Sequence, residues 1–364
     1  MSRRGNMHFD LNQEIFENKT KKAIWLFGRD LVPLEVSLAN IPDERDKEGY
    51  TQVYRYTHNL FSDMYENPNE YRLYPPENVM FYGVAYYGNL LIDIVKSSEL
   101  MEDGTLMMAA SVYHKMLKKG VRKKDKSKFN RMSCLSRLGI DVREGMVSTV
   151  FESQRYPLLL EYYTRLQKQS QRYKLNCNSY VLSCDFRIFT KGYRHTIQNI
   201  LDVLPERDRV YARAMHEYAI EKNLKVLPCQ YYHRVSYRYK GNYAMEFNVF
   251  LRFDMCIQLK HAAHPESTEF DRFLELVRNQ PNAEELMEYC VHNLNYCNCC
   301  FHSKTKQQRC GKWRDIYGHR RLVCGASISK QKGPEINCRY TDKDIPFLKQ
   351  LLDLRLQVID EMDS

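Results

Sequence analysis

Cysteines at metal-ligand spacing are the first residues in this sequence whose types and positions could do chemistry. Cys297 and Cys300 form a Cys-x-x-Cys pair within "CNCCFHSKTKQQRC", the spacing with which one tight turn grips a tetrahedral zinc ion. Cys310 and Cys324 are each followed by glycine, which lets the backbone turn so that amide protons point at a ligand sulfur. We therefore predict a structural Zn2+ site held by these four cysteines.

Disulfides and plain core packing are the alternative uses of these sulfurs. Seven of the 12 cysteines lie between Cys290 and Cys338, and an odd number cannot all pair as disulfides. Unligated cysteines often fill cores, but lysine, arginine and glutamine surround this cluster. A standard zinc ribbon has two Cys-x-x-Cys pairs and this chain has one, so the ligand set can include other residues. The candidates are Cys290, Cys299, Cys338, His292, His302 and His319.

The densest positive charge lies between Lys115 and Arg137, where ten basic residues face one acid, Asp125. Basic side chains in such a run contact phosphates, while side chains on a helix inserted in the major groove contact bases. A solvated loop between two helices is the alternative interpretation. The residues predicted to contact nucleic acid here are Lys118, Lys119, Arg122, Lys123, Lys124, Lys126, Lys128, Asn130, Arg131, Ser133 and Arg137. Of these, Asn130, Ser133 and Arg137 are expected to face bases.

A second basic face lies on a predicted strand near residue 237. Arg234, Arg238 and Lys240 alternate with apolar and aromatic residues that include Tyr237 and Tyr239. Arginine interleaved with tyrosine can neutralise phosphates and stack on bases, so the three basic residues join the predicted nucleic-acid contacts. Tyrosine also fills cores, and that alternative stays open.

We predict no catalytic residue. His261-Ala-Ala-His264 lacks the i, i+4 spacing and the interposed glutamate of a helical zinc-hydrolase motif. "CDFR", from Cys184 to Arg187, supplies a nucleophile only if a base lies beside the thiol. The chain contains no Gly-x-Gly-x-x-Gly, P-loop or Gly-x-Ser-x-Gly motif. None of these patterns therefore supports an enzyme.

Helical periodicity organises the residues around the basic run into a winged-helix-like domain, residues 86–175. We predict helices over "YYGNLLIDIVKSSEL" and "LMMAASVYHKMLKK", the second capped by Thr105, and a third from Ser127 to Gly139. "IDVREGMVSTVF" alternates on either side of Glu144-Gly145 and predicts a hairpin. Three helices followed by a hairpin are the order of a winged helix.

Three further regions complete the predicted α+β fold. Residues 1–85 form an acidic region of short helices and loops, because "NIPDERDKEGY" and "ENPNEYRLYPPENV" are rich in turn residues. Residues 176–288 form an antiparallel α+β domain that opens with the strand "NSYVLSCDFRIF" and has a hairpin turn at Gly241-Asn242. Residues 289–364 form a zinc-ribbon-like module closed by a helix that Asp344 caps.

From about Tyr180 onward, the arrangement that ends in this cysteine cluster resembles uncharacterised bacterial proteins with a C-terminal, cysteine-rich, zinc-ribbon-like module. The resemblance implies a bacterial origin and a zinc-stabilised C-terminal region. It implies no activity.

Charge and hydropathy indicate the class of partner. The chain has 364 residues, 43% of them apolar, and a net charge of +10. Residues 1–110 carry 11 basic and 17 acidic residues, or −6, so the remainder carries +16. A positive field suits a polyanionic partner such as nucleic acid or an anionic membrane surface, although solubility alone also explains a basic protein. The sequence opens without the apolar core of a signal peptide, and its most apolar run, 79–95, is too short and polar for a bilayer span, so we expect a cytoplasmic protein without a membrane partner.

These observations together predict a non-catalytic nucleic-acid-binding protein, such as a transcriptional regulator, with a structural zinc site. Two alternatives remain open. One is an α+β protein that binds or converts a small molecule in a pocket, and the other is an adaptor that binds proteins.

Overall fold

The computed structural model describes only part of the 364-residue chain. The described residues are 24, 28, 31–71, 84, 86–118, 132–172, 181–190, 192–193, 196–204, 206–229, 234–248, 254–259, 268–295, 312–323, 326–332, 335–336 and 340–362. The chain divides into two compact units, Met1–Arg194 and His195–Ser364, here called the N-terminal unit and the C-terminal unit. Both contain helices and antiparallel sheets, which confirms the predicted α+β class. Within the described residues, no helix is both long and apolar enough to cross a membrane.

The N-terminal unit combines helices with a four-stranded sheet. Its helices are Leu34–Leu38 (α1), Glu44–Glu66 (α2), Leu90–Lys96 (α3), Ala110–Lys118 (α4), Ser133–Arg137 (α5) and Leu159–Arg172 (α6), with a 3-10 turn at Phe186–Phe189. Its strands are Glu99–Leu100 (β1), Leu106–Ala109 (β2), Ile140–Glu144 (β3) and Ser148–Ser153 (β4). Their order in the sheet is β1-β2-β4-β3.

Helix α2 is the largest departure from the expected N-terminal region, which was predicted to hold only short helices and loops. Asp43 caps its N-terminus, because Oδ1 accepts the backbone N–H of Asp46 at 2.9 Å. Tyr50, Val53 and Leu60 are among the side chains of one buried stripe. The stripe and the cap explain 23 residues of helix that begin inside a turn-rich stretch.

Gly49 allows α2 to pack closely against α6. A Cβ atom built at Gly49 would lie 2.3 Å from the ring of Tyr162, well inside van der Waals contact. The ring of Tyr162 also meets Tyr50 edge to face, with 5.2 Å between centroids. Aromatic packing therefore fixes the long helix to α6.

The segment that follows α3 corrects the predicted helix boundary. Thr105 does not cap a helix, because its amide and hydroxyl both donate to Asp103 Oδ1 and the next four residues form β2. Strand β2 pairs with β4, with Leu106 opposite Phe151. Helix α4 then begins at Ala110. The hairpin β3–β4 confirms the predicted strands around Glu144-Gly145.

Helix α5 confirms the C-terminal part of the predicted third helix. Gly139 follows it at φ +84°, a conformation that suits glycine after a helix. The predicted N-cap, Ser127, lies outside the described residues.

The predicted strand "NSYVLSCDFRIF" is wrong within its described part. Val181–Ser183 is helical and Phe186–Phe189 is a 3-10 turn. Local bonds hold this conformation, because the Ser37 hydroxyl donates to the Cys184 carbonyl at 2.5 Å and accepts the Phe186 N–H at 2.9 Å. The segment belongs to the N-terminal unit, although the sequence predicted that it opens the next domain.

The C-terminal unit is built on a five-stranded antiparallel sheet. Its helices are Ile197–Leu201 (α7), Glu206–Glu221 (α8), Glu269–Arg278 (α9), Ala283–Asn293 (α10) and Asp344–Met362 (α11). Its strands are Lys225–Cys229 (β5), Arg234–Tyr239 (β6), Asn242–Asn248 (β7), Asp254–Gln258 (β8), Lys312–Ile316 (β9), His319–Val323 (β10), Ser327–Ser329 (β11), Gln331–Lys332 (β12) and Glu335–Ile336 (β13). The main sheet has the order β11-β8-β7-β6-β5, and β9–β10 and β12–β13 form separate two-stranded sheets.

One face of the main sheet and the helices share the apolar core. Tyr237, Met245 and Ile257 are completely buried there, and the register places Tyr237 opposite Met245 and Met245 opposite Ile257. Helix α11 contributes Leu351 and Val358 to the same core, which confirms the predicted terminal helix and its apolar stripe.

Two local predictions in this unit shift by one residue. The tight turn of the β6–β7 hairpin is Lys240-Gly241, because Tyr239 pairs with Asn242 and both turn residues have positive φ. Asp344 is the first residue of α11 rather than its cap, and its carboxylate accepts the amide and hydroxyl of Thr341.

Candidate nucleic-acid interface and zinc site

Most residues predicted to bind nucleic acid or zinc lie outside the described residues. They are Lys119, Arg122, Lys123, Lys124, Lys126, Lys128, Asn130 and Arg131, and the cysteines 297, 300, 310 and 324. The backbone of Lys118 is described as the last residue of α4, but its side chain is not. His261, His264, Cys299, Cys338 and His302 are also outside the description. For these two predicted sites, the structure therefore shows only the elements that flank them in the sequence.

Helices α4 and α5 contain the first and last residues of the basic segment, residues 115–137. Tyr113 of α4 is buried at 1% exposure, whereas Lys115 of the same helix is exposed. In α5, Leu135 is buried and Ser133 and Arg137 are exposed. Each helix thus has an inward apolar side and an outward polar side. The two predicted base-facing residues that are described, Ser133 and Arg137, are both on the outward side.

Arg137 is held by groups from the end of α2 and the residues after it. Its Nη2 atom donates to Asp63 Oδ1 at 2.6 Å, and Nη1 lies 3.5 Å from Glu70 Oε2. The guanidinium carbon lies 5.7 Å from the ring centroid of Tyr71, whose hydroxyl donates to Asp63 Oδ2. The hydrogen bond to Asp63 raises the pKa of the Arg137 guanidinium above its ordinary value. A base contact by Arg137 therefore requires it to exchange these partners.

The β3–β4 hairpin carries mixed charge on its strands and an apolar tip. Arg143 Nη2 lies 2.9 Å from Glu152 Oε2, and the Tyr113 hydroxyl donates to Glu144 at 3.1 Å. Met146 is fully exposed and Val147 is 84% exposed. The run of positive charge over residues 115–137 thus does not continue onto the hairpin.

Two elements of the C-terminal unit flank the predicted zinc ligands closely in sequence. Lys312 of β9 pairs with Val323 of β10, and Cys310 precedes the first by two residues while Cys324 directly follows the second. Asn295, two residues before Cys297, is tied to β11 by several bonds. Its N–H donates to the Ser327 carbonyl at 2.8 Å, and its side-chain amide donates to the hydroxyls of Ser327 and Ser329 at 3.1 Å.

The cysteines in the described part of the chain are not arranged as metal ligands. Cys134, Cys184, Cys256 and Cys290 are buried and form no disulfide, and no group of three or more His, Cys, Asp or Glu residues in the described ranges could hold a metal ion. Cys290, named above as a substitute ligand, lies in the apolar core, where burial raises the pKa of its thiol. Burial also raises the pKa of the Cys184 thiol to about 12, so it is protonated at neutral pH and unsuited to nucleophilic attack.

The second basic face is engaged by neighbouring side chains. Arg234 forms an ion pair with Glu246, and Lys240 Nζ lies 2.9 Å from Asp360 Oδ1. Arg238 donates to the Tyr243 hydroxyl at 2.5 Å and lies over its ring at 4.2 Å. Tyr237 is completely buried, so this tyrosine fills the core and offers no face for a base.

The sheet face opposite the apolar core is polar and buried, which the sequence reasoning missed. We call it the polar sheet face; its members are Ser236, Glu246, Cys256, Gln258, Ser327 and Ser329, all less than 10% exposed. The register aligns Ser236, Glu246, Cys256 and Ser329 across four strands. The sequence pattern that could have predicted this face is the alternation along the strands, because these polar residues occupy the positions between the apolar ones.

Hydrogen bonds link this face internally. The Ser236 hydroxyl donates to Glu246 Oε2 at 3.4 Å, and the Gln258 amide donates to Cys256 Sγ at 3.1 Å. The Cys256 thiol lies 3.7 Å from the Glu246 carbonyl, to which it donates. Gln258 Oε1 is buried and accepts no hydrogen bond. Among the described members of this face, Gln258 Oε1 is therefore an acceptor that a polar group could use.

Comparison of this chain with protein-family models, with curated proteins and with solved structures finds no match in any of the three.

Proposed function

We propose that this chain binds nucleic acid without catalysis, through a winged-helix-like region, residues 86–153. The observation that carries the proposal is the pairing of β2 with β4 around two intervening helices. Strand β2 precedes α4 and α5 and then joins the β3–β4 hairpin in one sheet. This pairing holds the hairpin beside α5, the last of the helices. A winged helix has the same order of elements, and its last helix enters the major groove, which supports the proposal.

Packing and charge support the same region. Leu135 of α5 and Ile140 of β3 are completely buried, so α5 is anchored from one side while Ser133 and Arg137 lie on the other. The basic segment joins α4 to α5 in sequence, and Ser133 and Arg137 are exposed residues at its α5 end. Its lysines would neutralise phosphates and its last residues would reach base edges.

The C-terminal unit supplies a structural zinc site in this proposal. Chain length alone keeps the Cα atom of Cys310 within about 7 Å of that of Lys312, and the Cα atom of Cys324 within about 4 Å of that of Val323. Because Lys312 and Val323 are paired, these two cysteines start from neighbouring points, as zinc ligands at a hairpin base do. Asn295, two residues before Cys297, is bonded to β11, which begins three residues after Cys324, and this supports including Cys297 and Cys300 in the same proposed site.

Salt dependence of binding tests the nucleic-acid proposal. Affinity for duplex DNA should fall with salt at a logarithmic slope of about −0.9 per phosphate contact. K123A/K124A should weaken binding to all sequences and reduce the slope by up to about two units. The matched control is K225A/K343A, which removes two exposed lysines of the C-terminal unit. Equal effects of the two double variants, or binding that is weak even at low salt, would end the proposal.

A second candidate function is small-ligand binding by the polar sheet face. Its support is the buried, unused acceptor Gln258 Oε1 beside Cys256 and Glu246, because a binding site combines enclosure with a few convergent polar groups. A thermal-shift screen of small polar metabolites distinguishes the two functions. A ligand that stabilises the native chain but not Q258L, without altering DNA affinity, would favour this candidate.

A further inference from the structure

Helix α2 carries two aspartates in closely similar surroundings, one near each end. Asp46 Oδ1 accepts the Tyr162 hydroxyl at 2.6 Å and Arg165 Nη1 at 2.7 Å. Asp63 likewise accepts a tyrosine hydroxyl and an arginine guanidinium. The difference lies in the arginine, because Arg165 belongs to α6 whereas the arginine at Asp63 is Arg137 of α5.

The contacts around Arg137 occupy the guanidinium group that would have to bind nucleic acid. The side chains of Asp63 and Arg137 are 22% and 34% exposed, so the pair is partly sheltered from water. Asn67 also donates to Asp63 Oδ1 at 2.9 Å, and its backbone N–H donates to the Asp63 carbonyl at 2.8 Å. The aspartate is therefore fixed in place, and Glu70 adds a second carboxylate 3.5 Å from Arg137.

We propose that the end of α2 is an intramolecular competitor for nucleic acid, with Asp63 occupying Arg137 until a phosphate or guanine edge replaces it. This inference rests on the proposed function. A guanidinium binds carboxylate and phosphate with the same bidentate fork, so the acidic N-terminal region imitates the ligand. Only protein molecules in which Arg137 has left Asp63 can use this arginine to bind nucleic acid. The apparent affinity is therefore the intrinsic affinity multiplied by the fraction of such molecules.

Matched substitutions at the two aspartates test the competition. D63N keeps the side-chain shape, removes the negative charge and so weakens the hold on Arg137, which keeps its contact with Glu70; D46N makes the same chemical change at the matched site without touching Arg137. Fluorescence anisotropy with a labelled mixed-sequence DNA duplex should show D63N binding about two- to fivefold more tightly than wild type, the size of a partly exposed ion pair. D46N should stay close to wild type. In an R137A background, D63N should have no effect.

The failure of this inference is distinguishable from the failure of the proposed function. If D63N and D46N bind alike while K123A/K124A still flattens the salt dependence, the competition is refuted and nucleic-acid binding stands. If the wild-type chain shows no salt-dependent binding, both fall. Should D63N fail to fold, E70Q removes only the outer carboxylate and should still tighten binding, compared with E161Q, which breaks the Arg45–Glu161 pair at 3.0 Å. Equal affinity of E70Q and E161Q would then refute the competition.

Discussion

Lys312 and Val323 are cross-strand partners at the open end of the β9–β10 hairpin. Cys310 and Cys324 are 14 positions apart in sequence, but each lies within two residues of one member of this pair. In the proposed zinc site, this short connection would leave little loop to order when the metal ion binds.

Metal content should follow the four predicted ligands. Protein purified under reducing conditions is expected to contain about one zinc ion per chain, the occupancy of a single tetrahedral site. C300S should release the metal and lower the melting temperature, because binding free energy becomes folding free energy. Mass spectrometry of the native protein and elemental analysis check this.

The control for zinc release is C134S. Cys134 is 6% exposed in the N-terminal unit, so its replacement should leave the metal content unchanged. A metal-free preparation that melts like the zinc-containing protein would refute the site.

Cys184 should resist thiol reagents in the folded protein. Its pKa is raised to about 12 by burial, so the reactive thiolate is scarce below pH 10 and the sulfur is inaccessible. Labelling with iodoacetamide at pH 8, followed by peptide mapping, should modify Cys184 only after denaturant is added. Labelling of Cys184 in the native state would contradict the buried position.

Alternation and helical periodicity predicted the elements whose residues pack as their local pattern suggests, whereas the caps predicted at Thr105 and Asp344 were wrong. Val235 and Tyr237 point into the core as the period of two requires, and Leu351 and Val358 share the buried side of α11. Strand β2 was mistaken for the start of a helix because "LMMA" favours helices locally. Its pairing with β4 outweighs that propensity, and no local pattern reveals it.

The site contacts depend on residues far apart in sequence. Arg137 and Asp63 are 74 positions apart, and nothing in the basic segment indicates that one of its arginines is already paired. The helix that carries Asp63 was obscured because its first residues belong to the turn-rich stretch 40–50. Sequence reasoning could therefore name a basic segment but not the acid that meets it.

Breaking the Arg234–Glu246 pair should cost more stability than removing the neighbouring Arg238. Glu246 is 6% exposed, so R234A leaves a buried carboxylate without its ion-pair partner and should lower the free energy of unfolding by about 1–3 kcal/mol. R238A removes the same side chain two residues along the strand, where the partner is the neutral Tyr243, and should cost less. R234A/E246Q should recover most of the loss, because no buried charge remains unpaired. Urea unfolding of the three variants measures this order, and an R238A cost equal to that of R234A would show that the carboxylate is hydrated rather than buried.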